Sequence, residues 1–223
     1  PKRSKENETR GQVIALGWRT ENQWNLSSRK KMQPMVLPKK RGLFLNTNNS
    51  FLEEEFPNHL SFNWGDEQRL LRATKMINNR DFHSVESFKE LQNDFISEPA
   101  RTLLPLMGQE LWFQYDDNEP EDINEVKARS LELLTNWNGD MMTSSPEPLI
   151  YSSWVKTFRK MLLEDELSLS YNFRNSISPL FLEKVLRNLE DAGKWCDIKH
   201  SKKIETCAEL SKKSLTISLR RLR

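Results

Sequence analysis

Asn46, Asn48 and Asn49 are the first side chains whose type and spacing could do chemistry. They close the run Gly42-Leu43-Phe44-Leu45-Asn46-Thr47-Asn48-Asn49-Ser50. Leu43, Phe44 and Leu45 suit an extended strand, and Gly42 permits a tight approach to it. The asparagines stop it, because their amides bond their own backbone and favour turns. A strand ending this way delivers an amide to a chosen place, whereas an Asx-rich turn with no further role is the plainer reading of the same residues. The surrounding chain has to decide between them.

Cys196 and Cys207 are the other reactive pair, with Asp197 and His200 between them. Zinc signatures usually pair ligands about two to four residues apart, and neither cysteine has such a partner of its own kind. A disulfide or two free thiols therefore stand ahead of a metal site, and the spacing does not choose between those two. His83 precedes a helix start and is expected in an exposed turn. His59 falls in an aromatic and polar string, where a core or surface place is favoured over a cleft. Asp94 has no partner carboxylate or nucleophile near it in any motif, so a capping or buried role is expected.

Composition limits the function classes. The chain has 223 residues, with 34 basic against 32 acidic side chains and a net charge of +2. That balance gives no field for nucleic acid. The basic clusters, such as Lys39-Lys40-Arg41 and Arg220-Arg221, are short and have acids nearby. Mean hydropathy is -0.74, and no run approaches the roughly 18 apolar residues of a spanning helix. No signal peptide is visible in Pro1 to Asn7. Seven tryptophans against seven glycines point to buried indoles.

The positioning elements follow from periodicity and punctuation. Residues 1–10 read as a frayed basic end, and Gln12 to Leu16 as a strand. A long connection runs from Trp18 to Arg41. Asp66 is a plausible cap for a helix carrying Arg69, Leu70, Leu71, Ala73 and Ile77. Ser84 opens a second helix with an apolar stripe of Val85, Phe88, Leu91 and Phe95. Pro99 marks the first turn of a third. Further helices are expected around Val126 to Trp137, closed by Asn138-Gly139, at Leu149 to Leu163, at Leu180 to Leu189 and at Glu205 to Leu222. An α+β class follows, with a strand-and-loop part over 11–65 and a helical region over 66–223.

The order of these marks resembles the penicillin acylase (penicillin amidase) family of N-terminal nucleophile amidohydrolases, in the internal part of the large (β) subunit. The resemblance runs through Gly17-Trp18, Trp24, Pro38 with Gly42 to Asn49, Phe56-Pro57, Trp64 and the Arg69-Leu70-Leu71-Arg72 helix. It continues through Gln92-Asn93-Asp94, Ser97, Ala100 and Leu103 to Leu106, then Trp137-Asn138-Gly139, and ends on Trp195-Cys196-Asp197 with Thr206-Cys207. It covers roughly residues 11 to 222.

That resemblance implies a helix-dominated fragment of a four-layer αββα fold. It also implies hydrolysis of amide bonds in acylated small molecules of the β-lactam or acyl-homoserine lactone type. Matched to the family's motif, Asn48 is the oxyanion donor and Arg69 its support. The cysteines match a pair seen in many members; if Cys196 and Cys207 are bonded, a periplasmic or secreted place fits. Pro1 is not a Ser, Thr or Cys, so no nucleophile is expected in this chain. The nucleophile is expected upstream, with the small subunit and remaining large-subunit segments as partners, and residues 1–223 alone are expected to be inactive. No metal or other cofactor is expected, and the family's calcium is in doubt because Asn58-His59-Leu60 stands where a ligand Asp would follow Phe56-Pro57. The alternative function is a non-catalytic helical interaction module. Its basic C-terminal helix carries Lys212, Lys213, Arg220, Arg221 and Arg223.

Overall fold

The computed structural model describes residues 2–3, 14–25, 44–50, 64–65, 67–111, 119–166 and 177–223. Two compact units divide the chain, Pro1–Thr74 and Lys75–Arg223. Among the described residues, strand is confined to a two-residue antiparallel pair, β1 (Lys2–Arg3) and β2 (Trp24–Asn25). Helix dominates the rest: α1 (Glu67–Asn78), α2 (Val85–Gln92), α3 (Glu98–Gly108), α4 (Glu121–Asn136), α5 (Glu147–Leu163), α6 (Pro179–Leu186) and α7 (Cys207–Leu222). A 3-10 stretch, Leu189–Cys196, follows α6.

Helix starts obey local chemistry. Ser84 accepts from the Ser87 amide, and Ser87 Oγ in turn accepts from the Ser84 amide, a reciprocal capping box. Thr206 and Glu209 make the same arrangement at α7. Ser97 caps α3 through the Ala100 amide at 3.2 Å, and Pro99 sits in the first turn, where its missing N–H costs nothing.

The core of the second unit lies between α3, α5, α6 and α7, and α5 packs most extensively against α7. Leu103, Trp154, Phe158, Leu182, Val185 and Leu215 are all fully buried there. The helix α7 buries three serines, Ser211, Ser214 and Ser218, and each satisfies its hydroxyl on a backbone carbonyl, at Met107, Ser211 and Leu215 respectively. The buried Trp154 indole of α5 meets this part of α7, donating to the Ser211 carbonyl and Ser214 Oγ.

Cys196 and Cys207 are disulfide-bonded, with Cα atoms 5.0 Å apart and a sequence separation of 11. The bond ties the end of the 3-10 stretch to the first residue of α7. Closing a loop of this size removes unfolded-state entropy worth about 3 kcal/mol. Replacing both cysteines by serine is therefore expected to lower unfolding free energy by about that amount, read from urea titration. A change below about 0.5 kcal/mol would show that the loop is already ordered when unfolded.

Trp137-Asn138-Gly139 does more than end α4. The Gly139 carbonyl accepts from the Ser97 amide at 2.8 Å, Arg101 Nε donates to the Asn138 carbonyl at 2.8 Å, and the Met141 amide donates to the Phe95 carbonyl at 3.0 Å. A bridge between Ile96 and Asp140 completes the clip. Gly139 has φ +89°, and a Cβ there would lie 3.1 Å from Arg101 Cγ and 3.2 Å from the Ser97 carbonyl oxygen. Gly139→Ala is expected to cost about 1–3 kcal/mol through backbone strain and crowding. Thermal melting checks this, and an unchanged Tm would contradict it.

Several expectations from the sequence are corrected. Of the strand expected over 43–45, residues 44 and 45 lie outside any strand, as do 14–16 of the strand expected over 12–16, while 12, 13 and 43 lie outside the described residues. Most of the apolar stripe begun on α2 is exposed: Val85 is 67% exposed, Phe88 46% and the following Phe95 55%, while Leu91 is half-buried and Ser87 is the buried residue. The helix expected to reach Leu189 stops at Leu186, where Asn188, Glu190 and Asp191 turn to positive φ. The neighbourhood of Asn58-His59-Leu60, with its calcium question, lies outside the described residues. So does Asp66.

Candidate oxyanion site

The segment 44–50 is a pair of overlapping Asx turns. Asn46 Oδ1 accepts from the Asn48 amide at 2.8 Å. Asn49 Oδ1 accepts from the Thr47 amide at 3.1 Å and the Thr47 hydroxyl at 3.2 Å, while Asn49 Nδ2 donates to the Ser50 carbonyl at 2.9 Å. Asn49 is accordingly buried. Both ends of the Asn49 amide and the oxygen of the Asn46 amide are used in shaping the turn, and Asn46 Nδ2 makes no hydrogen bond among the described residues. The Asn48 side chain is exposed and makes no hydrogen bond among the described residues.

Asn48 also stands apart in its backbone, with φ 64°. Asparagine tolerates the left-handed region better than most residues, because its short amide can bond locally. What holds it there is Gly65, whose amide donates to the Asn48 carbonyl at 2.5 Å. A Cβ on Gly65 would lie 2.9 Å from the Thr47 oxygen and 3.0 Å from the Asn48 oxygen, so no larger residue fits. The sequence reading did not single out Gly65, although a glycine just before a helix start was the available signal.

Through Gly65 the turn is tied to the beginning of α1, which carries Arg69. Arg69 is exposed, makes no ion pair among the described residues, and has no direct hydrogen bond to Asn48. The unit therefore offers a neutral amide donor on a fixed turn and a guanidinium on the adjoining helix. Chemically, such a set favours a negative charge developing on an oxygen.

The remaining candidates do not join it. His83 is an exposed turn residue, as expected, held by the Ile77 carbonyl at 3.1 Å and Ser87 Oγ at 3.3 Å. Asp197 accepts from the Glu205 amide at 3.3 Å, and both nearby sulfurs are committed to the disulfide. Among the described residues no group of His, Cys, Asp or Glu side chains could hold a metal ion.

The family model described as penicillin amidase matches residues 1–223. The chain belongs to the penicillin amidase family. No curated protein matches the sequence, and no solved structure matches it. As a penicillin amidase, the chain is an amidohydrolase at family level, and its helical bulk is consistent with part of a hydrolase of that family. Among its described residues no helix is long and apolar enough to cross a membrane. In this penicillin amidase chain, Ser97, Ala100 and Trp137 to Gly139 serve packing. They form the clip between the α2–α3 and α4–α5 connections.

Proposed function

We propose that this chain is an internal part of the large subunit of a penicillin amidase-type enzyme, within a four-layer αββα fold, and that it supplies Asn48 as an oxyanion donor. The observation that carries the reading is Asn48 itself. The Asn49 amide and the Asn46 oxygen are spent on the turn, the Asn48 backbone is held in a left-handed conformation by Gly65, and the Asn48 side chain makes no hydrogen bond among the described residues. A non-glycine residue held in the left-handed region by its surroundings is one of the features that cluster at working sites.

In this reading a nucleophile outside residues 1–223 attacks the amide carbonyl of an acylated small molecule, of the β-lactam or acyl-homoserine lactone type. The carbonyl oxygen gains negative charge as the tetrahedral intermediate forms. Asn48 Nδ2 donates a hydrogen bond to that oxygen, and Arg69 adds a favourable field from α1. A donor of this kind contributes on the order of 3 kcal/mol to barrier lowering. The small subunit and further large-subunit segments complete the site. The Cys196–Cys207 bond supports a periplasmic or secreted place.

The test is an acyl-anilide assay on residues 1–223 alone and on the assembled enzyme. Turnover only in the assembled enzyme is expected. Turnover by residues 1–223 alone would remove the need for an external nucleophile. The interaction-module reading finds less support, because its basic helix is partly neutralised. Arg220 pairs with Glu119 at 2.6 Å, and Arg223 pairs with Asp122, whose carboxyl that hydrogen bond holds below the usual carboxylate range.

A further inference from the structure

The helical unit carries a second feature unrelated to the Asn48 turn. A cavity of about 350 Å³ opens between the start of α3, one face of α5, the start of α6 and the end of α7. Its described lining holds four cations, Lys156, Arg159 and Lys160 from α5 and Arg221 from α7, and no carboxylate. Lys160 reaches Glu164 at 3.8 Å. Lys156, Arg159 and Arg221 make no ion pair among the described residues.

Like charges gathered without counter-charge repel one another, and the cost rises as water is excluded. Here exclusion is real at one position. Arg159 Nε is buried and has no hydrogen-bond partner among the described residues, a state that costs more for a charged donor than for a neutral one. Burial pushes the Arg159 guanidinium below its ordinary range and the Tyr151 phenol beside it above its own. The Tyr151 hydroxyl makes no hydrogen bond among the described residues. The rest of the wall is Val155, Pro179, Pro99 and the Tyr151 ring, with two serines, Ser97 and Ser152.

We propose that this cavity binds a small monocarboxylate with an apolar body. The carboxylate meets the Arg159 guanidinium, whose planar fork matches two oxygens, and the body lies against Tyr151, Val155 and Pro179. Lys156 and Arg221 at the rim add attraction and draw the anion in. A monoanion fits better than phosphate, because a dianion would give up more hydration against a wall that is largely apolar. The size matches the lower end of small-molecule sites. The site belongs to the Lys75–Arg223 unit and stands independently of the oxyanion reading.

The test is calorimetric titration of residues 1–223 with hexanoate and benzoate, with hexan-1-ol, benzyl alcohol and inorganic phosphate as comparison probes. Saturable binding of at least one carboxylate with Kd below about 1 mM is expected, with the alcohols weaker by about tenfold or more. Arg159→Gln should weaken binding by about tenfold, and the exposed Lys156→Gln by about threefold at low salt. No saturable heat below about 10 mM carboxylate, or alcohols binding as well as carboxylates, would overturn the proposal. So would phosphate binding more tightly than both acids. If Arg159→Gln loses its helical circular dichroism, the double variant Lys156→Gln/Arg221→Gln decides: an unchanged Kd overturns the site, and a weakened one supports it.

Discussion

Replacing Asn48 by glycine in the assembled enzyme is expected to lower kcat by about two to three powers of ten while leaving KM within about threefold. Glycine is the informative choice because the backbone at this position has φ 64°. Alanine would remove the amide and also strain the turn, whereas glycine removes the amide alone. The bonds that define the turn, from Asn46 and Asn49 side chains and from the Gly65 amide, do not involve the Asn48 side chain. Stability should therefore move by less than about 0.5 kcal/mol, as for other exposed substitutions. Asn48→Asp makes the complementary point, since a carboxylate facing a developing oxyanion repels it and should reduce kcat at least as far. Asn49→Ala should behave in the opposite way. It empties a buried position with three hydrogen bonds, so the expected loss is about 1–3 kcal/mol of stability. Steady-state kinetics and thermal melting on the same preparations separate the two. If Asn48→Gly retains kcat within about threefold, Asn48 is not an oxyanion donor.

Trp154→Ala is expected to destabilise the helical unit by about 3–5 kcal/mol, the range for deleting a fully buried large aromatic. Trp154 has no exposed surface and sits where α5 packs on α7. Its Nε1 is bifurcated between the Ser211 carbonyl and Ser214 Oγ, both at 3.0 Å. Trp154→Phe keeps most of the ring volume and loses the donor. The Ser211 carbonyl still accepts from Ser214 Oγ at 2.8 Å, so the cost falls to about 1–2 kcal/mol. Urea titration should show the midpoint shift with the slope unchanged. A loss below about 1 kcal/mol for Trp154→Ala would mean that α5 and α7 close over the gap without a cavity.

Much of the helical unit was legible because its determinants are local. Ser84, Pro99 and the Asn138-Gly139 stop act on neighbours within one turn, so their neighbourhood in sequence is their neighbourhood in space. The α2 stripe was misread for the same reason. Periodicity reports that Val85, Phe88 and Phe95 share a side, but not whether anything covers that side. The serine face of α7 was invisible, because serine at helical spacing reads as a solvated surface until Trp154 is seen against it.

The candidate site divides in the same manner. The sequence by itself determined the family, through the ordered marks from Gly17 to Cys207. It also determined that asparagines end the Gly42 to Ser50 run, since their turn-forming chemistry is intrinsic. Only the tertiary structure showed which of these side chains makes no hydrogen bond at all among the described residues. Asn46 and Asn49 turn inward on the backbone, and Gly65, distant in sequence, locks Asn48 with its side chain outward. The pairing of Cys196 with Cys207 and the gathering of Arg159 with Arg221 are of this second kind. They depend on where whole helices pack, and packing depends on shape and burial summed over many residues, which spacing along one chain does not carry.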